Sequence, residues 1–255
     1  MRKTYFNLLF IVIFSLGLAS CKKELTFKVS GTSSLTLING VVGNDYLYTD
    51  FNGDKSNGVY ISQLGAISYG SAIFFNSYSG QQKLGLYQNP DTNANSKPVF
   101  NLTLNMPVNT IHTLFLMGTP QNPDQLFTTD QLPYHAPSDS TMGIRFVNIS
   151  QGSAPVSVNL LGQANGSEAD TLSYKGVTAF KNYNAGSAVS SYTFEFRDKA
   201  TGALLGNCVV DGVNNPGTQT APNIRRNRNY TIALLGAPGG LAANRVLIVD
   251  EDVRY

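Results

Sequence analysis

Short runs along this chain alternate apolar and polar residues with period two, and Gly, Asn, Asp and Pro separate the runs. Tyr192, Phe194 and Phe196 fall on one side of an extended segment, with Thr193, Glu195 and Arg197 on the other. The segments 101–106 and 156–160 alternate in the same way. Period two is the signature of a strand lying on a sheet with one face buried. Between Phe196 and Leu204, the residues Asp198, Lys199, Ala200, Thr201 and Gly202 supply the chemistry of a hairpin turn. Beyond the first 20 residues no stretch keeps an apolar stripe at helical spacing for three turns. The expectation is an all-β protein with roughly six to eight short strands per hundred residues, the rhythm of an immunoglobulin-like sandwich. A small barrel is the competing architecture.

The pattern also repeats. Ile67-Ser68-Tyr69, followed by Phe75, Tyr78 and Gly80, returns as Leu172-Ser173-Tyr174, followed by Phe180, Tyr183 and Gly186, with the tyrosines displaced by 105 positions. The run from Asn109 to Pro120 returns from Asn227 to Pro238, displaced by 118. The second copy therefore carries extra residues between the two blocks, and the polar, Gly- and Pro-containing stretch Asp211 to Pro222 accommodates them. A weaker match pairs Leu35-Thr36-Leu37-Ile38-Asn39 with Ile144-Arg145-Phe146-Val147-Asn148. Two tandem sandwich domains are expected, at 30–133 and 140–255, joined by a linker at 134–139.

The first residues read differently. Arg2 and Lys3 precede an apolar run, Leu8 to Phe14, that is too short to span a bilayer. It reads as the core of a signal peptide covering 1–20. Leu18, Ala19, Ser20 and Cys21 resemble the lipobox of bacterial lipoprotein precursors. That resemblance implies acylation of Cys21, cleavage before it, and a tether at 21–29. Each buried methylene contributes about 0.8 kcal/mol, so two or three acyl chains hold where one is marginal. The resemblance also implies attachment to the outer membrane. Lys22, Lys23 and Glu24 leave open whether the protein faces the periplasm or the cell surface.

Cleavage changes the charge balance. Residues 1–20 hold Arg2, Lys3 and no acid, so Lys plus Arg falls from 18 to 16 against 16 Asp plus Glu. A neutral mature chain offers no electrostatic case for binding nucleic acid. Arg225, Arg226 and Arg228 form the one dense basic cluster, and they read as a solvated turn before a strand. The mature chain keeps only Cys208 besides Cys21, so no intramolecular disulfide is available, and Cys208 is expected as a small buried hydrophobe.

The order of a strand ending in Asn, then Ser-Tyr with aromatics and Gly, then Asn-x-x-aromatic-Thr-hydrophobic-x-Leu-x-Gly resembles the "domain of unknown function 4397" family. Residues 144–150, 172–186 and 230–236 carry it best, and the first copy matches more loosely. The resemblance implies an immunoglobulin-like sandwich, often in tandem and often on lipoproteins of Bacteroidetes-type bacteria. It carries over no catalytic residue.

Motifs of chemistry are few. The chain has no G-x-S-x-G, H-E-x-x-H or Walker sequence and no paired C-x-x-C, and His112 and His135 are its two histidines. No catalytic residue and no cofactor is expected. Asp50, Asn52 and Asp54 have the alternate spacing of calcium-loop ligands, but the glycine is misplaced and no Glu closes the loop, so an Asn-Gly turn is the favoured reading. Asp250, Glu251 and Asp252 read as solvation of an edge strand. The aromatics are the candidates for ligand contact: Phe74, Phe75 and Tyr78 in the first copy, Phe180 and Tyr183 in the second. Adjacent Phe74 and Phe75 cannot both face one core from a regular strand, so one is exposed or is covered by the other domain or a partner. The function expected is a non-catalytic binding or adhesion module for a glycan or protein. The alternative is a structural or accessory subunit of an envelope assembly.

Overall fold

Strands buried on both faces mark where the two halves of the chain meet. In the computed structural model, which describes residues 31–51, 66–89, 95–237 and 243–252 apart from the side chains of 77 and 78, every regular element is a strand. The first half holds β1 (Thr32–Asn39), β2 (Tyr46–Phe51), β3 (Ala66–Ser68), β4 (Ala72–Tyr78), β5 (Gly80–Gln88), β6 (Phe100–Met106), β7 (Ile111–Gly118) and β8 (Pro123–Asp130). The second holds β9 (Thr141–Asn148), β10 (Val156–Leu160), β11 (Ala169–Leu172), β12 (Lys181–Asn184), β13 (Tyr192–Asp198), β14 (Leu204–Val210), β15 (Asn229–Leu235) and β16 (Arg245–Asp250). The segment 1–29 with Cys21, the positions Asn52 and Asp54, and the side chain of Tyr78 lie outside the described residues.

Each half is a sandwich of two four-stranded sheets. The sheets run β4-β1-β7-β8 over β3-β2-β5-β6, and β12-β9-β15-β16 over β11-β10-β13-β14, so the strand order of one half is that of the other. In both halves the first and seventh strands pair in parallel. Leu35 stands opposite His112 and Ile144 opposite Tyr230, which makes Thr36 the counterpart of Arg145 and Thr113 that of Thr231.

The halves also share a seam. Leu35, Leu37, Leu114 and Leu116 point into the first sandwich, and Ile144, Phe146, Ile232 and Leu234 into the second. The alternate residues of the same strands, Ile38, Phe115 and Met117 against Val147, Ala233 and Leu235, meet in a third cluster between the halves. The molecule is therefore four sheets deep. β1, β7, β9 and β15 are therefore covered on both faces, and apolar residues fill both sides of each strand except where Thr36, Thr113, Arg145 and Thr231 interrupt them. In 156–160 the alternation places Val156, Val158 and Leu160 on the second core as expected, but the polar side is covered as well. Ser157 and Asn159 are buried, because the loop after β10 folds back and its Gly166 amide donates to Asn159 Oδ1.

One internal asparagine closes each half, in the same way in both. Asn39 Nδ2 donates to Ile67 O at 3.0 Å and its Oδ1 accepts from Val41 N; Asn148 Nδ2 donates to Leu172 O at 3.2 Å and its Oδ1 accepts from Ser150 N. Both side chains are fully buried. Asn39→Ala or Asn148→Ala leaves an amide and a carbonyl unpaired, at an expected cost of about 1–3 kcal/mol each. Equal losses in urea unfolding would show equivalent roles, and no loss at either site would refute the assignment.

Candidate functional site

The structure accounts for most of the aromatic candidates by packing. Phe75 is only 6% exposed, inside the first sandwich, edge-on to Phe51 with ring centroids 5.1 Å apart. Tyr183, also 6% exposed, lies in the second core and donates its hydroxyl to Glu168. Phe74 sits on the opposite face of its strand and packs against the apolar cluster that the two halves share. Neither Phe75 nor Tyr183 presents a face to a ligand, because both positions point inward from their sheets.

Phe180 is half-buried, with the Arg145 guanidinium 5.0 Å from its ring centroid. Strand register also corrects the alignment of the copies here. Thr36 faces Phe74 across β1 and β4, whereas Ile144 faces Lys181 across β9 and β12, which places Phe180 in the role of Phe74 rather than Phe75. A one-residue slip moves a side chain to the other face of the sheet.

Arg145 is the centre of the seam. Its Nη1 donates to Asp130 Oδ1 at 2.6 Å, its Nη2 to Glu251 Oε1 at 3.2 Å, and its Nε to Thr231 Oγ1 at 2.8 Å. Thr113 Oγ1 donates to Asp130 Oδ2 at 2.5 Å, and Thr231 Oγ1 donates to Glu251. Asp130 ends β8 opposite Ile111, and Glu251 follows β16 with its amide on Asn229 O, so the two carboxylates occupy equivalent places in their halves. The equivalence extends along the seam. Asp124 meets Tyr174 and Lys175 of the second half, and its counterpart Arg245 reaches Tyr69 O of the first. The halves thus present the same face to each other, as in a two-fold interface. Burial alone would raise the Asp130 carboxyl, but the bonds and charge of Arg145, with Thr113 and Thr128, hold it below the usual carboxylate range.

The acidic and basic clusters are structural to a degree the sequence did not suggest. Glu251 is fully buried rather than a solvated edge residue, since its place at the strand end points it into the seam. Asp250 pairs with Arg228 at 2.7 Å, and burial raises Asp252, whose carboxylate accepts the Asn229 amide. Arg225 lies 5.2 Å from the Tyr230 ring centroid instead of in a solvated turn. Asp50, the penultimate residue of β2, is half-buried, and among the described residues no three His, Cys, Asp or Glu side chains gather to hold a metal. His112 stacks on Phe127 with centroids 4.8 Å apart, and His135 is buried between Thr141 and Asn229. Burial pushes the Cys208 thiol up to about 11, which keeps it protonated at neutral pH.

A cleft stands where the halves differ most. The connection between β6 and β7 is residues 107–110, while that between β14 and β15 is 211–228. The longer connection walls an open cleft of about 800 Å³ together with Pro137 and Asp252. Pro216 and Pro222 give it rigid apolar faces, and Arg226 and Asn227 give it polar groups. Asn227 holds a left-handed backbone (φ 60°), as does its counterpart Asn109. The Asn227 Oδ1 atom is buried without a donor. The offset between the copies was the sequence signal for this cleft; the arginines and Asp252 that line it carried none.

No family model matches the chain, that of domain of unknown function 4397 included, and no curated protein matches it. Solved structures that it resembles include a candidate cell adhesion protein from Bacteroides uniformis, 12% identical, covering 87% of this chain and 99% of that one with a TM-score of 0.24. A candidate adhesin from Bacteroides ovatus is 10% identical, with coverage of 88% and 94% and a TM-score of 0.25. The C-terminally truncated tip fimbrial protein Mfa3 from Porphyromonas gingivalis is 10% identical, with coverage of 86% and 99% and a TM-score of 0.21.

Proposed function

We propose that this chain is a lipoprotein of the cell envelope, held on the outer membrane through acylated Cys21, whose second sandwich binds a glycan or protein ligand without catalysis. The observation that carries the binding role is the cleft of residues 211–228, which is an addition to one copy of a duplicated fold. Its volume lies in the range of ligand sites, roughly 300–1,000 Å³. The engaged histidine rings and the protonated Cys208 support a role without covalent chemistry.

The test uses the whole mature chain carrying Cys21→Ser. A panel of glycans and envelope proteins is expected to yield a partner whose binding disappears when residues 212–222 are shortened to the turn of the first half, with the unfolding midpoint retained. Binding that survives the shortened loop places the site elsewhere. Absence of any partner from the panel and from crosslinking on cells rejects the binding role. For the anchor, a palmitate analogue is expected to label the wild type in cells and not Cys21→Ser; an unlabelled wild type removes it.

A further inference from the structure

We infer that the end of the molecule from which the N-terminal tether leaves is a membrane-docking surface, its exposed apolar turns seated in the headgroup layer of the bilayer that holds Cys21. This rests on the acyl anchor just proposed and adds an orientation to it.

Strand direction gathers the residues concerned. β1 runs parallel to β7 and β9 to β15, and Asp130 and Glu251, at the ends of β8 and β16, meet on the Arg145 guanidinium. Both sandwiches therefore point the same way. The starts of β1, β7, β9 and β15 share one end of the molecule with the ends of β6, β8, β14 and β16. At the opposite end Gly40 lies against Ile149 and Leu235. Gly31, where the tether joins the first sandwich, belongs to the first of these ends: its carbonyl accepts from Ser79 N at 3.4 Å, and the Val108 side chain packs against it. The ten residue steps from Cys21 to Gly31 reach at most about 35 Å. That keeps this end near the bilayer and sets the other a strand length further off, roughly 26 Å for eight residues.

The same end carries most of the exposed apolar surface. Of the seven large apolar side chains exposed among the described residues, four sit in connections here. Val108, 49% exposed, lies between β6 and β7; Tyr134, 84%, follows β8; Leu161, 60%, follows β10; Ile224, 56%, precedes β15. Tyr46 and Leu204 lie at the far end, and Val209 on the outer sheet. Beside Ile224, Arg225 is paired with Asp211 at 3.3 Å, and Arg228 with Asp250 at 2.7 Å, so the contact offered to lipid is apolar rather than ionic. A tyrosine, with an apolar ring and a polar tip, suits the headgroup level. Binding at an interface scales with the apolar area buried there. A few side chains hold a free protein weakly, but the anchor makes their contact intramolecular, and a weak partition then suffices. The cleft of 211–228 lies at this end too, so the ligand it takes is one that the same membrane surface presents.

Spin labelling of the acylated protein in phosphatidylcholine vesicles tests the inference. Labels on Val108→Cys, Tyr134→Cys and Ile224→Cys are expected at headgroup depth, shielded from an aqueous nickel relaxant. Labels on Tyr46→Cys and Leu204→Cys, comparably exposed sites at the far end, are expected to stay in water. Cys208 is buried and protonated, so it takes no label. The depths are expected to hold between about 0.05 and 0.5 M salt, a range over which docking by charge fades. With Val108→Ser, Tyr134→Ser and Ile224→Ser combined, a label on Leu161→Cys is expected to report at least about a ten-fold loss of the docked form, with the unfolding midpoint retained. Five labels equally open to nickel overturn the docking and leave the anchor standing. Far-end labels deeper than the tethered-end ones overturn it by placing the wrong end down, and docking abolished by salt overturns its apolar basis. A wild type that takes no palmitate analogue removes the anchor beneath, and this inference with it.

Discussion

Arg145→Met is expected to lower the stability of the protein by about 3–5 kcal/mol, the cost of removing one partner from a buried ion pair. The side chains of Asp130 and Glu251 are both completely buried, and removing the guanidinium takes away the positive charge that both of them meet. Urea unfolding at neutral pH measures the loss, and a change below about 1 kcal/mol would refute the central role of Arg145. The response to acid supplies an independent sign. Because the Asp130 pKa is depressed in the folded state, its contribution is present above the unfolded value near 3.9 and is lost as pH falls through the folded one. Wild-type stability is therefore expected to drop below about pH 4. The variant, left with carboxylates that favour protonation, is expected to close the gap with the wild type as pH falls. Replacing Arg145, Asp130 and Glu251 together by apolar residues of similar volume is expected to restore much of the loss, since buried ion pairs often give way to hydrophobic packing without penalty.

Phe146→Ala comes next in expected size, about 3–5 kcal/mol for emptying a ring-sized space in a packed core. Phe146 is 2% exposed and packs edge-on to Phe194 and Phe196, with centroids 5.1 and 6.1 Å away. The described residues form one compact unit, and the seam that binds the halves is an apolar cluster of its own. The loss in the second sandwich is therefore expected to shift a single cooperative transition, followed by calorimetry, rather than to melt one half alone. Val209→Ala is the control. That side chain is 55% exposed on the outer sheet, and its removal is expected to cost less than about 0.5 kcal/mol. Two separated transitions in Phe146→Ala would show that the seam does not couple the halves.

Much of the fold was legible in the residues because strands write themselves locally. Phe194 and Phe196 are buried from alternate positions, and the Asp198–Gly202 turn closes its hairpin with Gly202 at φ 73°. The matched blocks around Asn109 and Asn227 correspond to the same turn before the seventh strand of each half, with the same φ. The site was less legible. Phe75 and Phe180 look equivalent by spacing, yet register sends one into a core and the other over Arg145. Asp250, Glu251 and Asp252 look like one solvated patch, yet they end in an ion pair with Arg228, a fully buried seam and the wall of a cleft.

The amino-acid pattern by itself determined that this protein is built from strands, that its architecture is duplicated, and that the second copy carries extra chain between its last two blocks. Period, turn chemistry and internal repetition are properties of neighbours along the chain. Tertiary structure alone decided that the copies stack through equivalent faces, that Arg145 gathers one carboxylate from each half, and that the added chain folds into a cleft with an unpaired acceptor. Those features join residues separated by 15, 106 or more positions, and the free energy of burying a charge or a polar atom depends on what surrounds it in space.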